Sequence, residues 1–168
     1  MAVLPIRVYP DPVLRVRCPP VESFDDELRR LADDMVETMH AAPGIGLAAP
    51  QVGVEQRLAV VDVSVGEDEG SLKVLVNPEI VDQRGRDVDS EGCLSIPGIT
   101  EKVPRPVAVR IAARDLDGEP VEIEVEELEA RAICHEIDHL NGVLFIDHLR
   151  GLRKDRVRRQ LKKLGMGK

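Results

Sequence analysis

The amino-acid sequence predicts an α+β fold: antiparallel or mixed β-sheets packed around a central helix, with a further helix at the C-terminus. Strand-like segments bunch in the middle of the 168 residues, and helical patterns stand on either side instead of alternating with them. At 43% hydrophobic, the chain has enough apolar material for one core. With no repeat, low-complexity stretch or linker, residues 1–168 read as a single domain whose last part, 150–168, is a basic helix.

Residues 1–22 hold five prolines, so nothing regular is expected there beyond a turn at Asp11-Pro12-Val13-Leu14-Arg15. Ser23, three before Asp26, reads as a capping-box start, after which Leu28, Leu31, Ala32, Met35 and Met39 fall on one helical face. Pro43 and Gly44 stop this helix near Ala42. Leu58–Val63, Lys73–Val81 and Val107–Ala113 are β-branched and partly alternating, hence strands. Gly66-Glu67-Asp68-Glu69-Gly70 is a solvated turn between two of them. Glu126–Leu140 reads as a second helix, acidic at its start and stopped by Asn141-Gly142, and Leu149–Leu164 as a third.

No apolar run approaches the roughly 20 residues of a membrane-spanning helix, and no basic-then-apolar leader opens the chain. Cys18, Cys93 and Cys134 are too few and too scattered for a disulfide framework, which points to a reducing, cytoplasmic setting. Aromatic residues are only 2%, so Val, Leu, Ile and Ala must fill the core. The net charge of -8 conceals an asymmetry: residues 150–168 carry nine Lys or Arg against Asp155 alone, the remainder fourteen against thirty acidic residues.

The sharpest chemical signal is His135-Glu136-Ile137-Asp138-His139. Two histidines four apart share one helix face, and the glutamate beside the first can sit over the same ion. An extended protease motif would require histidine where Phe145 stands, and no glutamate follows His139, so a metallopeptidase lacks its third ligand. Cys134 is turned about 100° from His135 toward the packing side. Cys93, in Glu91-Gly92-Cys93-Leu94-Ser95-Ile96-Pro97, lies in a bent segment and is the favoured third ligand, although a cysteine between apolar neighbours can also be a small buried hydrophobe. One cysteine and two histidines with a position left open is a catalytic pattern; a fourth ligand such as His148 would make the site structural. Gly44-Ile45-Gly46-Leu47-Ala48-Ala49-Pro50-Gln51 formally fits a dinucleotide fingerprint, but a helix precedes it and Pro50 and Gly53 spoil any helix after it. It reads as a tight turn with close backbone approach, from which the Gln51 amide could donate to an oxyanion.

These three segments, in this order, resemble the signature motifs of the peptide deformylase family, with similarity running from Asp11-Pro12-Val13-Leu14-Arg15 through Asn141-Gly142-Val143-Leu144-Phe145. The resemblance implies a metal-dependent hydrolase that removes the N-formyl group from the initiator methionine of new polypeptides and releases formate. It implies metal ligands Cys93, His135 and His139, the acid/base Glu136, an oxyanion site of Gln51 and the Leu94 N–H, and substrate contacts at Gly44, Ile45, Gly46, Gly92 and Ile133. The ion it implies is Fe²⁺ in the cell, with Zn²⁺ or Ni²⁺ as substitutes. The implied partners are formyl-Met nascent peptides, with no membrane and no DNA; the basic helix reads either as a solvated helix packed on the domain or as a docking surface for the ribosome. Two departures stand out: Cys134 replaces the family's usual glutamine before the first histidine, and Ile99-Thr100-Glu101 lacks the arginine that often meets the substrate backbone, leaving Arg105 nearby.

Overall fold

The computed structural model describes residues 2–166; Lys168, the last cation of the expected basic helix, lies outside them. An N-terminal arm ends in a one-turn 3₁₀ helix at Pro12–Arg15 and leads to α1, Asp26–Ala41. Seven strands follow: β1 Gly46–Ala48, β2 Leu58–Val61, β3 Lys73–Arg84, β4 Asp87–Cys93, β5 Ile96–Arg105, β6 Ala108–Arg114 and β7 Pro120–Glu126. The chain ends with α2, Glu127–Leu140, and α3, Gly151–Lys163. The strands form a five-stranded sheet, β1-β2-β3-β6-β7, and a separate pair, β4-β5, antiparallel throughout.

Helix α1 starts at a different cap from the one the sequence suggested: the Asp25 carboxylate, not Ser23, accepts from the Leu28 N–H. Its buried face, Leu28, Ala32, Met35 and Met39, packs on Leu47, Leu58, Val60 and Val76. Helix α2 is enclosed over most of its length, with Ala130, Ile133, Cys134 and Ile137 against Val61, Leu75, Val109, Ile111 and Val125. Gly142 ends it at φ +75, beside the Arg15 carbonyl, where any Cβ would collide.

A third cluster joins Leu14, Ile96, Ile99, Val103, Phe145, Val157 and Leu161, which seats α3 on β5. The apolar stripe expected on α3 is only half used: Val157 and Leu161 are buried, Leu152 is 82% exposed and Leu164 52%. Strands β1, β4, β5 and β7 were not expected. The first is three residues long, β4 is mostly exposed, and β5 turns Ile96, Ile99, Val103 and Arg105 inward at uneven intervals, so neither shows the alternation of a half-buried strand.

Candidate active site

The spacing of His135 and His139 on α2 puts both rings on one side of the helix, their Nε2 atoms 3.1 Å apart. Cys93 ends β4 at a register shift, the ladder passing from Gly92↔Thr100 to Cys93↔Ile96, and this irregularity turns its thiol to 3.3 Å from His139 Nε2. One donor atom from each of Cys93, His135 and His139 lies within 4.8 Å of the others, a group that could hold a metal ion. One thiol and two imidazoles at this separation fit a divalent cation of the borderline class, which leaves a coordination position for substrate or water. His148 does not close the set: its Nε2 is 2.8 Å from Asp138 Oδ2.

Orientation of the His135 ring comes from a residue whose role no motif in the sequence reveals. His135 Nδ1 donates to Glu91 Oε1 at 2.6 Å, which frees Nε2 for ligation. Glu91 also accepts from Arg105 at 2.6 and 3.1 Å and from Arg131 at 3.0 Å, and all four side chains are buried. Burial alone would raise the Glu91 carboxyl, but the bonds from His135 and Arg105 prevail and hold it at about 2. Arg105 is therefore committed to Glu91 and, at 2.6 Å, to Asp138, so it is not a substrate ligand. Nothing local in the sequence marks this cluster, because its members come from β4, β5 and α2.

Glu136 is 4% exposed, and one of its oxygens has no hydrogen-bond partner among the described residues. Burial pushes its carboxyl up to about 7; His135 pulls it down and Glu91 pushes it up. The backbone of Gly46 crosses its other oxygen so closely that a Cβ there would overlap the carboxylate. Burial would lower the His135 imidazole, but Glu136, Cys93 and Glu91 raise it well above its ordinary range, whereas burial and neighbouring His135 drop His139 well below.

Gln51 sits in a 3₁₀ turn, Ala49–Val52, directly after β1. Its Oε1 accepts from the Ala48 N–H at 3.0 Å, and its Nε2 donates to Ser95 Oγ at 3.1 Å and faces Cys93 Sγ at 3.6 Å. A cleft of about 450 Å³ opens over these groups. Gly44, Ile45, Gly46, Gln51, Gly92, Cys93, Leu94, His135 and Glu136 all line it. Ile133 does not: it points into the core on the sheet side of α2, and Leu128 and Ala132 supply the helix wall of the cleft. Cys134 is buried, its thiol pushed up to about 11 by burial, and it stands apart from the ligand cluster. Thr100 lines the cleft, whereas Glu101 lies 3.9 and 3.6 Å from Arg153 and Arg156 of α3.

Comparison with known proteins agrees with this geometry. The family described as polypeptide deformylase matches residues 3–155. A peptide deformylase of Alkalilimnicola ehrlichii is 54% identical over 166 residues, covering 98% of this chain and 92% of its own. One of Acidobacterium capsulatum is 51% identical over 164 residues, covering 98% and 96%. The crystal structure of a peptide deformylase from Legionella pneumophila superposes with a TM-score of 0.91 at 46% identity, over 98% of this chain and 96% of that one.

Proposed function

Because the chain belongs to the polypeptide deformylase family, we propose that Glu136, Gln51 and the Leu94 N–H carry out its hydrolysis of the N-formyl amide, around a divalent cation held by Cys93, His135 and His139. The enzyme is a metal-dependent hydrolase that removes the formyl group from the initiator methionine of nascent polypeptides and releases formate. The observation that carries the residue assignment is the convergence of one thiol and two imidazoles beside a cleft lined by Cys93, His135 and the buried Glu136.

When bound, the cation supplies Lewis-acid polarisation of water and of the formyl oxygen. Glu136, poised near neutrality by its burial, accepts a proton from the attacking water. The water oxygen bonds to the formyl carbon, and Gln51 Nε2 and the Leu94 N–H donate to the oxygen on which charge develops. The carbon–nitrogen bond then breaks, and Glu136 returns its proton to the departing amine. Since a formyl carbon bears only hydrogen, a site shaped tightly around it rejects acetyl by steric clash. Ile45, Leu128 and Ala132 offer the methionine side chain an apolar wall.

Fe²⁺ is the proposed ion in the cell, with Zn²⁺ and Ni²⁺ as substitutes; the donor set suits all three. Free cysteines and the lack, among the described residues, of any helix long and apolar enough to cross a membrane support a cytoplasmic setting. The outward cations of α3 support docking to ribosomal RNA. The deciding experiment is an anaerobic assay of formate release from a formyl-Met peptide, with metal analysis of the same sample. Turnover of the formyl peptide, with little on its acetyl counterpart and none on casein, is expected. Comparable cleavage of casein would mark a peptidase instead.

A further inference from the structure

Gln51 and Leu94 lie on separate elements, the turn after β1 and the turn after β4, and nothing in either sheet pairs those elements with each other. The N-terminal arm does. The Arg7 N–H donates to the Gln51 carbonyl at 2.7 Å, and two residues on, the Tyr9 N–H donates to the Ser95 carbonyl at 2.8 Å. The same two acceptor residues are joined on the side of the cleft by Gln51 Nε2 to Ser95 Oγ, and Ser95 is fully buried. The arm is itself fixed at both ends. Upstream, the Leu4 N–H donates to Thr38 Oγ1 of α1 at 2.8 Å; downstream, Leu14 is buried in the cluster beneath α3.

We propose that residues 7–9 are a positioning segment for catalysis: their backbone clasps the turns that carry Gln51 and Leu94, and so sets the spacing of the two oxyanion donors. This rests on the reading of those two groups as the donors. The physical need is geometric. Donors must meet a small developing charge within a few tenths of an ångström, and a displacement of about 1 Å at such a site costs about a hundredfold in rate. Residues 7–9 neither line the cleft nor belong to the cluster of Cys93, His135 and His139, so loss of their bonds should lower kcat and leave KM and metal content as they were.

The test replaces single backbone amides with esters in the metal-loaded enzyme, removing the N–H of Arg7 or of Tyr9 while keeping both side chains. An ester at Val8, whose N–H has no protein partner among the described residues, is the control. The Arg7 and Tyr9 esters are expected to lose about ten- to a hundredfold in kcat relative to the Val8 ester, with KM within about twofold. In a Gln51→Ala background the Arg7 ester should cost almost nothing more, because the group it positions is gone. Thr38→Val, which releases the arm upstream with no change at the cleft, should show the same kcat loss and the same dependence on Gln51 in milder form. Full kcat in both esters beside a crippled Gln51→Ala enzyme overturns the role of the arm alone, as does a loss that simply adds to that of Gln51→Ala. Normal kcat in Gln51→Ala overturns the oxyanion reading and the proposal with it.

Discussion

At the scale of single residues, the site depends on which charges are buried and which partners they meet. Glu136 has burial to raise its proton affinity and a bare oxygen to receive the proton. Glu136→Gln should therefore keep its metal and its KM while kcat falls about 10²–10⁴-fold, measured by formate release beside metal analysis. Glu91 is the less visible partner. Glu91→Gln leaves Arg105 and Arg131 buried beside a neutral amide, and His135 without an anion to orient it. Unfolding in denaturant should show a loss on the order of 3–5 kcal/mol, and chelator competition a metal affinity lower by about 10–100-fold. His135, Glu136, His139 and Cys93 were legible in the sequence, because a spacing or a bent flanking segment betrays them. Glu91 and Arg105 were not, since their meaning arises only when β4, β5 and α2 meet. Ile133 was misplaced because helical periodicity says that a residue is buried without saying against which wall.

At the scale of elements, the long amphipathic helices and the branched strands could be read directly, since a face buried against a core imposes its period on the sequence. The β4-β5 pair escaped because β4 is mostly exposed and the buried positions of β5 fall at uneven intervals. So did β1, which is held by tertiary ties: the Asp62 N–H donates to the Ile45 carbonyl at 2.8 Å, just ahead of Gly46. The buried Asp62 carboxylate in turn takes bonds from His40, the Ser64 N–H and hydroxyl, and the Gly66 N–H. Burial alone would push this carboxyl up, but these bonds win and hold it at about 2, below the usual carboxylate range. A depressed carboxyl stabilises the fold above its unfolded value and ceases to do so as pH falls through the folded one. Asp62→Asn should therefore cost on the order of 2 kcal/mol at neutral pH, and the gap to wild type should narrow as pH drops from about 4 toward 2, read by denaturant unfolding across that range.

At the scale of the whole molecule, the charge asymmetry is laid out in space, with the cations of α3 on a helix whose buried face is only Val157 and Leu161. Since those two help form the cluster with Ile96 and Ile99, removing the helix would damage the fold as well as the surface. Charge reversal at Arg158, Arg159, Lys162 and Lys163 is the cleaner variant. It should leave turnover of a short formyl peptide within about twofold and abolish most ribosome co-sedimentation at low salt, with the wild-type interaction itself falling steeply as salt rises. The apolar interior also has a division of its own. One cluster joins α1 to the five-stranded sheet and a second joins α2 to it, while a third gathers β5, Phe145, Leu14 and α3. Clusters that share few side chains can open independently, so deuterium should enter α3 on a shorter timescale than β2, β3 and β6, whereas the buried bonds of Glu91 and Arg105 hold β4 and β5 to α2. The cleft lies where those bonds cross from β4 and β5 to α2, so its walls are braced before an extended nascent chain arrives, and none of the binding energy is spent in assembling them.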